Sequence, residues 1–165
     1  MEVGKYLSAL KERGAGVACE LSPAAIVTAP WPVMKCRYGC PRYGHNRACP
    51  PFAPDYRETR RILDSYTVAI VFGVSQMSAG TPLALEVCRM AVADGFYKAI
   101  AFGTGPCMQC AECSLAECPR PASVAPSMEA CGIDVVATVR AAGLPIEVPP
   151  RPGGELNCYG LILLR

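Results

Sequence analysis

The first apolar positions fall at Val3, Tyr6, Leu7 and Leu10. That spacing of three and four predicts a short amphipathic N-terminal helix. "PAAIVTAP" (23–30) reads as a strand bounded by prolines. "PDYRETRRILDSY" (54–66) reads as a polar-faced helix that buries Ile62, Leu63 and Tyr66. "YTVAIVFGV" (66–74) is apolar on both faces and β-branched, the pattern of a central strand covered on both sides. Thr81 followed by Pro82 gives a helix start, with Thr as cap and Pro at the first helical position. The helix "LALEVCRMAVAD" then stops at Gly95. "YKAIAFGTG" (97–105) reads as a second buried strand. Asp134 caps a helix over "VVATVRAAG", which Gly143 terminates. "LPIEV" (144–148) and "CYGLILLR" (158–165) read as strands, the last closing the sheet.

Strand, helix and strand alternate through the middle of the chain. The expected fold is α/β, a partly parallel mixed sheet flanked by helices, with cysteine-rich metal-binding loops after strands. No whole-chain repeat or long linker interrupts the pattern. One α/β domain over 1–165 is expected, carrying two cysteine motifs at 36–49 and 107–118. The composition, 52% hydrophobic and 18% charged, is globular rather than disordered. No apolar run is long enough for a bilayer, and "MEVGKYLSALKERG" lacks the apolar core of a secretory signal. A cytoplasmic protein is expected, with no membrane partner.

Eleven cysteines change the picture. In a reducing compartment, clustered cysteines serve more often as metal ligands or redox groups than as disulfides. "CMQCAECSLAEC" holds Cys107, Cys110, Cys113 and Cys118 in the spacing C-x2-C-x2-C-x4-C, followed by Pro119. Structural zinc sites usually take cysteines as two separated pairs. Three cysteines at successive two-residue gaps suit a cubane, because each gap lets a thiolate reach a different iron. The bacterial ferredoxin run is C-x2-C-x2-C-x3-C-P, and this chain has one extra residue before its last cysteine. A 4Fe–4S cluster is therefore expected here, with zinc as the alternative.

Cys36, Cys40 and Cys49 form the other motif, C-x3-C-x8-C, again ending in Cys-Pro. Gly39 and Gly44 give its backbone room to bend. Its fourth ligand is open. Cys131 in "MEACGID" is the first choice, ahead of Cys158 and Cys19, while Cys88 reads as a core residue. An exchanged Cys118, His45 or no protein ligand at all are further possibilities. Charge concentrates around this motif. Residues 35–61 carry seven Lys or Arg against Asp55 and Glu58, a net +5 that leaves −3 for the rest of the chain.

Four stretches resemble a known family: "CRYGCPRYGHNRACPPFAPD", "GPCMQCAECSLAECPRP", "PSMEACGIDVVATVRAAG" and "NCYGLILL". They occur in the same order in a cysteine-rich prokaryotic family, largely archaeal and anaerobic-bacterial, known as predicted metal-binding proteins of unknown function. The resemblance implies metal binding through Cys36, Cys40, Cys49, Cys107, Cys110, Cys113 and Cys118. It implies no reaction.

Three functions compete. The first is an electron-transfer or redox accessory protein with one or two 4Fe–4S clusters. Its basic face would steer an acidic partner, a ferredoxin or an enzyme subunit. The second is an enzyme using an open iron of the three-cysteine cluster, with His45 or one of Arg37, Arg42 and Arg47 as acid or anion clamp. The third is a zinc-stabilised module in which Tyr38, Tyr43, Phe52 and Tyr56, interleaved with basic residues, contact nucleic acid or protein.

Overall fold

The computed structural model describes residues 2–152 and 158–165. Asn157, which opens the fourth of the matching stretches, lies outside them. Helix α1 (Glu2–Glu12) buries Tyr6, Ala9 and Leu10, the face its spacing anticipates. Strand β1 (Val17–Leu21) follows, then α2 (Trp31–Gly39), α3 (Tyr56–Asp64), β2 (Ala69–Val74) and α4 (Met77–Ala93). The chain continues through β3 (Ile100–Phe102), α5 (Val135–Ala141) and β4 (Cys158–Leu163). Asp55 caps α3 by accepting from the N–H groups of Arg57 and Glu58, both at 2.8 Å. Asp134 caps α5 through Ala137 N–H at 2.9 Å.

The strands form one sheet in the order β1-β2-β4-β3. All three strand pairings are antiparallel, which corrects the expected partly parallel sheet. The strand–helix–strand unit is real: β2 and β3, joined by α4, run in the same direction. The last strand, β4, inserts between them and opposes both. Local patterning shows that two strands flank a helix. Which strand fills the slot between them depends on pairing with the far end of the chain.

Alternation along β2 and β4 divides the core. Ile70, Phe72, Val74, Ile162 and Leu164 pack under α1 and α4. Ala69, Val71, Tyr159, Leu161 and Leu163 face α3 and α5, against Leu63 and Val139. Both faces of the central strands are thus covered, which is why they read as continuous apolar runs. Gly160 is required in β4, because a Cβ there would lie 2.4 Å from the Phe72 ring.

Three local expectations are corrected. Residues 23–30 form no strand: Pro23–Ala25 is a 3-10 turn, and Thr28 makes only an isolated bridge to Ile133. The edge strand comes earlier, at β1. Residues 144–148 are irregular rather than a strand. Helix α4 begins at Met77, so Pro82 lies inside it and Thr81 is not its cap. The Thr81 hydroxyl instead accepts from Thr104 N–H at 3.0 Å, tying α4 to the exit of β3. No helix among the described residues is long and apolar enough to cross a membrane.

Val74 at the end of β2 pairs with Cys158 at the start of β4. The chain leaves β3 at this same end of the sheet and enters the second cysteine motif.

Candidate metal centre

The first motif is only partly a loop. Cys36 sits in the last turn of α2, and Cys40 N–H donates back to Cys36 O at 3.2 Å. The motif therefore follows a helix, not a strand as expected; the second motif does follow a strand, β3. Helix α2 is anchored by a short antiparallel contact. Ala29 N–H donates to Gly132 O and Asp134 N–H donates to Val27 O, both at 2.8 Å. Trp31 Nε1–H adds a bond to Asp134 Oδ2 at 3.3 Å. Gly132 is left-handed at φ 72°, and a Cβ there would lie 2.6 Å from Tyr56 Cβ. These contacts seat the turn Glu129–Cys131 beside α2.

Cys36, Cys40 and Cys49 line one cavity of about 530 Å³, and Cys158 lines it with them. Its apolar wall includes Trp31, Ile133, Val136, Ile146 and Tyr159. Lys35 and Glu129 are its charged groups. Burial pushes the Cys49 thiol up to about 11, and the neighbouring thiols Cys40 and Cys36 push the same way, against Arg42. The Cys36 thiol is also raised, by burial, then by Cys40 and Glu129. Cys158 is raised by burial and by Glu129. Glu129 is solvent-accessible yet largely enclosed by the cavity, and this dehydration raises its carboxyl while a Ser127 hydrogen bond opposes the shift. Without a metal, Cys36, Cys49 and Cys158 therefore hold their protons. A cation that replaces them relieves the mutual repulsion of the thiolates.

The second motif surrounds a smaller space of about 20 Å³, lined by Cys107, Cys110, Cys113 and Cys118. Arg42, Asn46 and Arg47 of the first motif line it too. Asn46 is buried at 1% exposure. Its Nδ2 donates to Cys107 O at 2.8 Å, and its Oδ1 accepts from Ala48 N–H at 3.0 Å. Arg47 N–H donates to Cys113 Sγ at 3.4 Å, and its guanidinium donates to the carbonyls of Leu115 and Ala116. Arg42 Nη2 reaches Met108 Sδ at 3.6 Å. The two motifs are thus walls of one unit, joined by residues 42–48.

Cys131, the first choice for a fourth ligand, lines neither cavity. It is fully buried in the core with Met128, Ile133 and Leu161. Burial pushes its thiol to about 12, reinforced by Glu129 and Glu58. Cys88 lies on the buried face of α4, in the core. Cys19 is on the edge strand β1, where its Sγ–H donates to Ala142 O at 3.7 Å. His45 is exposed and lines neither cavity. Arg37 lies over the Tyr38 ring, and Arg60 is bound to Asp64 and to the carbonyls of Ile26 and Pro23. Sequence reasoning missed Asn46, Lys35 and Glu129. Asn46 and Lys35 stand inside or beside the first motif, and Glu129 two residues before Cys131; only the folded chain shows where they point.

Among the described residues, no group of three or more His, Cys, Asp or Glu side chains converges on a point that would seat a single ion. The donor set is thiol-rich around both cavities. Soft sulfur donors of this kind suit iron–sulfur clusters and zinc. A sequence profile of one family, described as "Predicted metal-binding protein (DUF2284)", matches residues 19–164. No curated protein and no solved structure matches the chain.

Proposed function

The chain belongs to this family of predicted metal-binding proteins, and from that premise we propose that it is a cytoplasmic iron–sulfur protein. It holds a 4Fe–4S cluster at each cysteine motif and passes single electrons in a redox accessory role. The C-x2-C-x2-C spacing supports a cubane at Cys107, Cys110 and Cys113, with Cys118 as its fourth thiol. The observation that carries the reading is the joint between the motifs. Arg47 donates to Cys113 Sγ, and Cys49, two residues on, lines the other cavity. Clusters held this way are neighbours separated by one short segment, an arrangement suited to handing an electron from one to the other. Each bound cluster supplies a reversible one-electron couple; the protein supplies ligands, burial and N–H donors that tune it.

The partner in this reading is an acidic redox protein, a ferredoxin or enzyme subunit, facing exposed Lys35, Arg37 and Arg57. Arg42, Arg47 and Arg60 are engaged inside the protein, so the basic segment offers less to nucleic acid than its charge suggests. The test is anaerobic purification with iron, sulfide and zinc analysis, followed by EPR and voltammetry. About eight irons and eight sulfides with a reversible signal is the expected result. Zinc without sulfide would overturn the proposal.

One observation favours a second reading, an enzyme. The first cavity, at about 530 Å³, lies within the size range of small-molecule pockets. Its apolar wall and the Lys35 ammonium could hold an organic anion beside the thiols. Substrate-dependent change in the EPR spectrum would support that reading.

A further inference from the structure

On the reading that the first motif holds a cluster, we propose that Cys158 supplies its fourth thiolate. Cys36 and Cys40 come from α2 and its end, and Cys49 from the following loop. Cys158 lines the same cavity from the sheet, as the first residue of β4, and is half-buried against the edge of the core under α1 and α4 rather than enclosed in it. Its backbone is fixed by pairing with Val74 of the fully buried strand β2. A cubane needs one donor at each corner, so its ligands must enclose a body rather than follow one loop. A donor from the sheet, on elements separate from the other three, meets that need.

The remaining cysteines lead to the same assignment. Cys118 lines the second cavity with Cys107, Cys110 and Cys113. Cys131 and Cys88 are core side chains, and Cys19 lies on the edge strand. The eleven cysteines therefore divide into four at the first cavity, four at the second and three with packing roles. Both clusters are then closed by thiolates. An iron open to substrate is absent from the first site, and the electron-transfer reading gains over the enzyme.

The test compares the wild-type protein with Cys158→Ala and Cys131→Ala. Each is reconstituted anaerobically, analysed for iron and sulfide, and examined by EPR. A Co(II) titration of each metal-free protein counts thiolates through the sulfur-to-cobalt absorption, independently of cluster assembly. Cys158→Ala is expected to lose the first cluster or reduce it to a three-iron form, and to lose about a quarter of the cobalt–thiolate absorption of that site. Cys131→Ala is expected to match wild type in both measurements. The assignment is overturned if Cys158→Ala keeps wild-type iron, sulfide, EPR and cobalt absorption. It is equally overturned if Cys131→Ala shows the loss instead. Circular dichroism of metal-free Cys158→Ala separates a lost ligand from a lost fold, and the cobalt absorption of a folded variant then decides. A wild-type protein that takes up neither iron with sulfide nor cobalt overturns the cluster reading itself.

Discussion

The backbone N–H of Arg47 points at Cys113 Sγ across 3.4 Å, so a residue of one motif hydrogen-bonds a thiol of the other. The Arg47 side chain adds bonds to the carbonyls of Leu115 at 3.2 Å and Ala116 at 3.1 Å. Arg47→Ala keeps the N–H and removes the side-chain clamp. It is expected to speed hydrogen exchange at 113–118 and to make the second cluster more sensitive to chelators, leaving the first unchanged. Because Arg47 is exposed, the stability loss should be about 1 kcal/mol. Equal chelator sensitivity in variant and wild type would show that the clamp does not support the site.

Asn46 is the buried counterpart of that joint. Asn46→Ala strands the carbonyl of Cys107 and the N–H of Ala48, both of which the side chain now satisfies. An unsatisfied buried polar group costs about 1–3 kcal/mol. The metal-free variant should lose about 2 kcal/mol, or ~4–8 °C in Tm for a domain of this size. Metal occupancy should fall at both motifs, since the lost side chain holds Cys107 O of one and Ala48 N–H, next to Cys49, of the other. A variant that melts with wild type would mean that water replaces these bonds.

How far these features could be read from the sequence depends on how local each one is. Helix α1, the cap at Asp134 and the buried strand β2 follow from spacing and residue type within a few positions. The second motif is legible for the same reason, because its four cysteines lie on one loop. The place of β4 between β2 and β3 is not, since it pairs Val74 with Cys158 across about half of the chain. Cys158 looks unremarkable as one cysteine opening an apolar run, and the cavity it shares with Cys36 exists only after that pairing. Cys131 looks attractive because it lies near the second motif in sequence, but packing against Ile133 and Leu161 takes it into the core. Thr81–Pro82 has the chemistry of a helix start, yet the Thr81 hydroxyl bonds Thr104, a partner that local pattern does not reveal.

Gly4 and Gly80 both lie in helices, where Gly→Ala is normally stabilising by about 0.5–1 kcal/mol. The structure separates them. A Cβ at Gly4 meets nothing within 4 Å, whereas one at Gly80 would lie 2.2 Å from Thr104 Oγ1 and 2.4 Å from Thr104 Cγ2. Thr104 cannot easily yield, because its hydroxyl donates to Met77 O at 2.5 Å. Gly4→Ala should raise stability by about 0.5 kcal/mol, and Gly80→Ala should lower it by about 1–3 kcal/mol. Urea titration of the metal-free proteins measures both; a stabilising Gly80→Ala would contradict the close packing of α4 on the β3 exit.

Asp94 joins the end of α4 to α1, accepting from Lys5 Nζ at 2.6 Å and Tyr6 OH at 2.7 Å. The Lys5 hydrogen bond, then that of Tyr6, holds its carboxyl below the usual aspartate range. A depressed folded pKa means that the contribution is present above the unfolded aspartate pKa and is lost as pH falls through the folded value. Asp94→Asn should therefore be less stable than wild type near pH 7, with the gap closing in acid. Denaturation curves at pH 3 and pH 7 check this. A gap that stays constant would assign the effect to packing rather than charge.

Cys131 offers the sharpest separation of a packing thiol from ligand thiols. Its pKa, pushed to about 12 by burial, leaves a thiolate fraction of about 10⁻⁴ at pH 8, and the thiolate is the reactive form. Cys40 is exposed at the first cavity. Iodoacetamide treatment of the metal-free protein at pH 8 should modify Cys40 readily and leave Cys131 intact until urea is added. Mass spectrometry of the digested protein reads the order directly. The sign of the pH effect follows from the raised folded pKa. Burying Cys131 as a thiol contributes stability that is complete below the ordinary thiol pKa near 9 and is lost as pH climbs through about 12. Metal coordination would require the reverse, a thiolate stabilised at neutral pH. Cys131 modified as fast as Cys40 in the folded protein would therefore place it at an accessible site and remove the main ground for excluding it as a ligand.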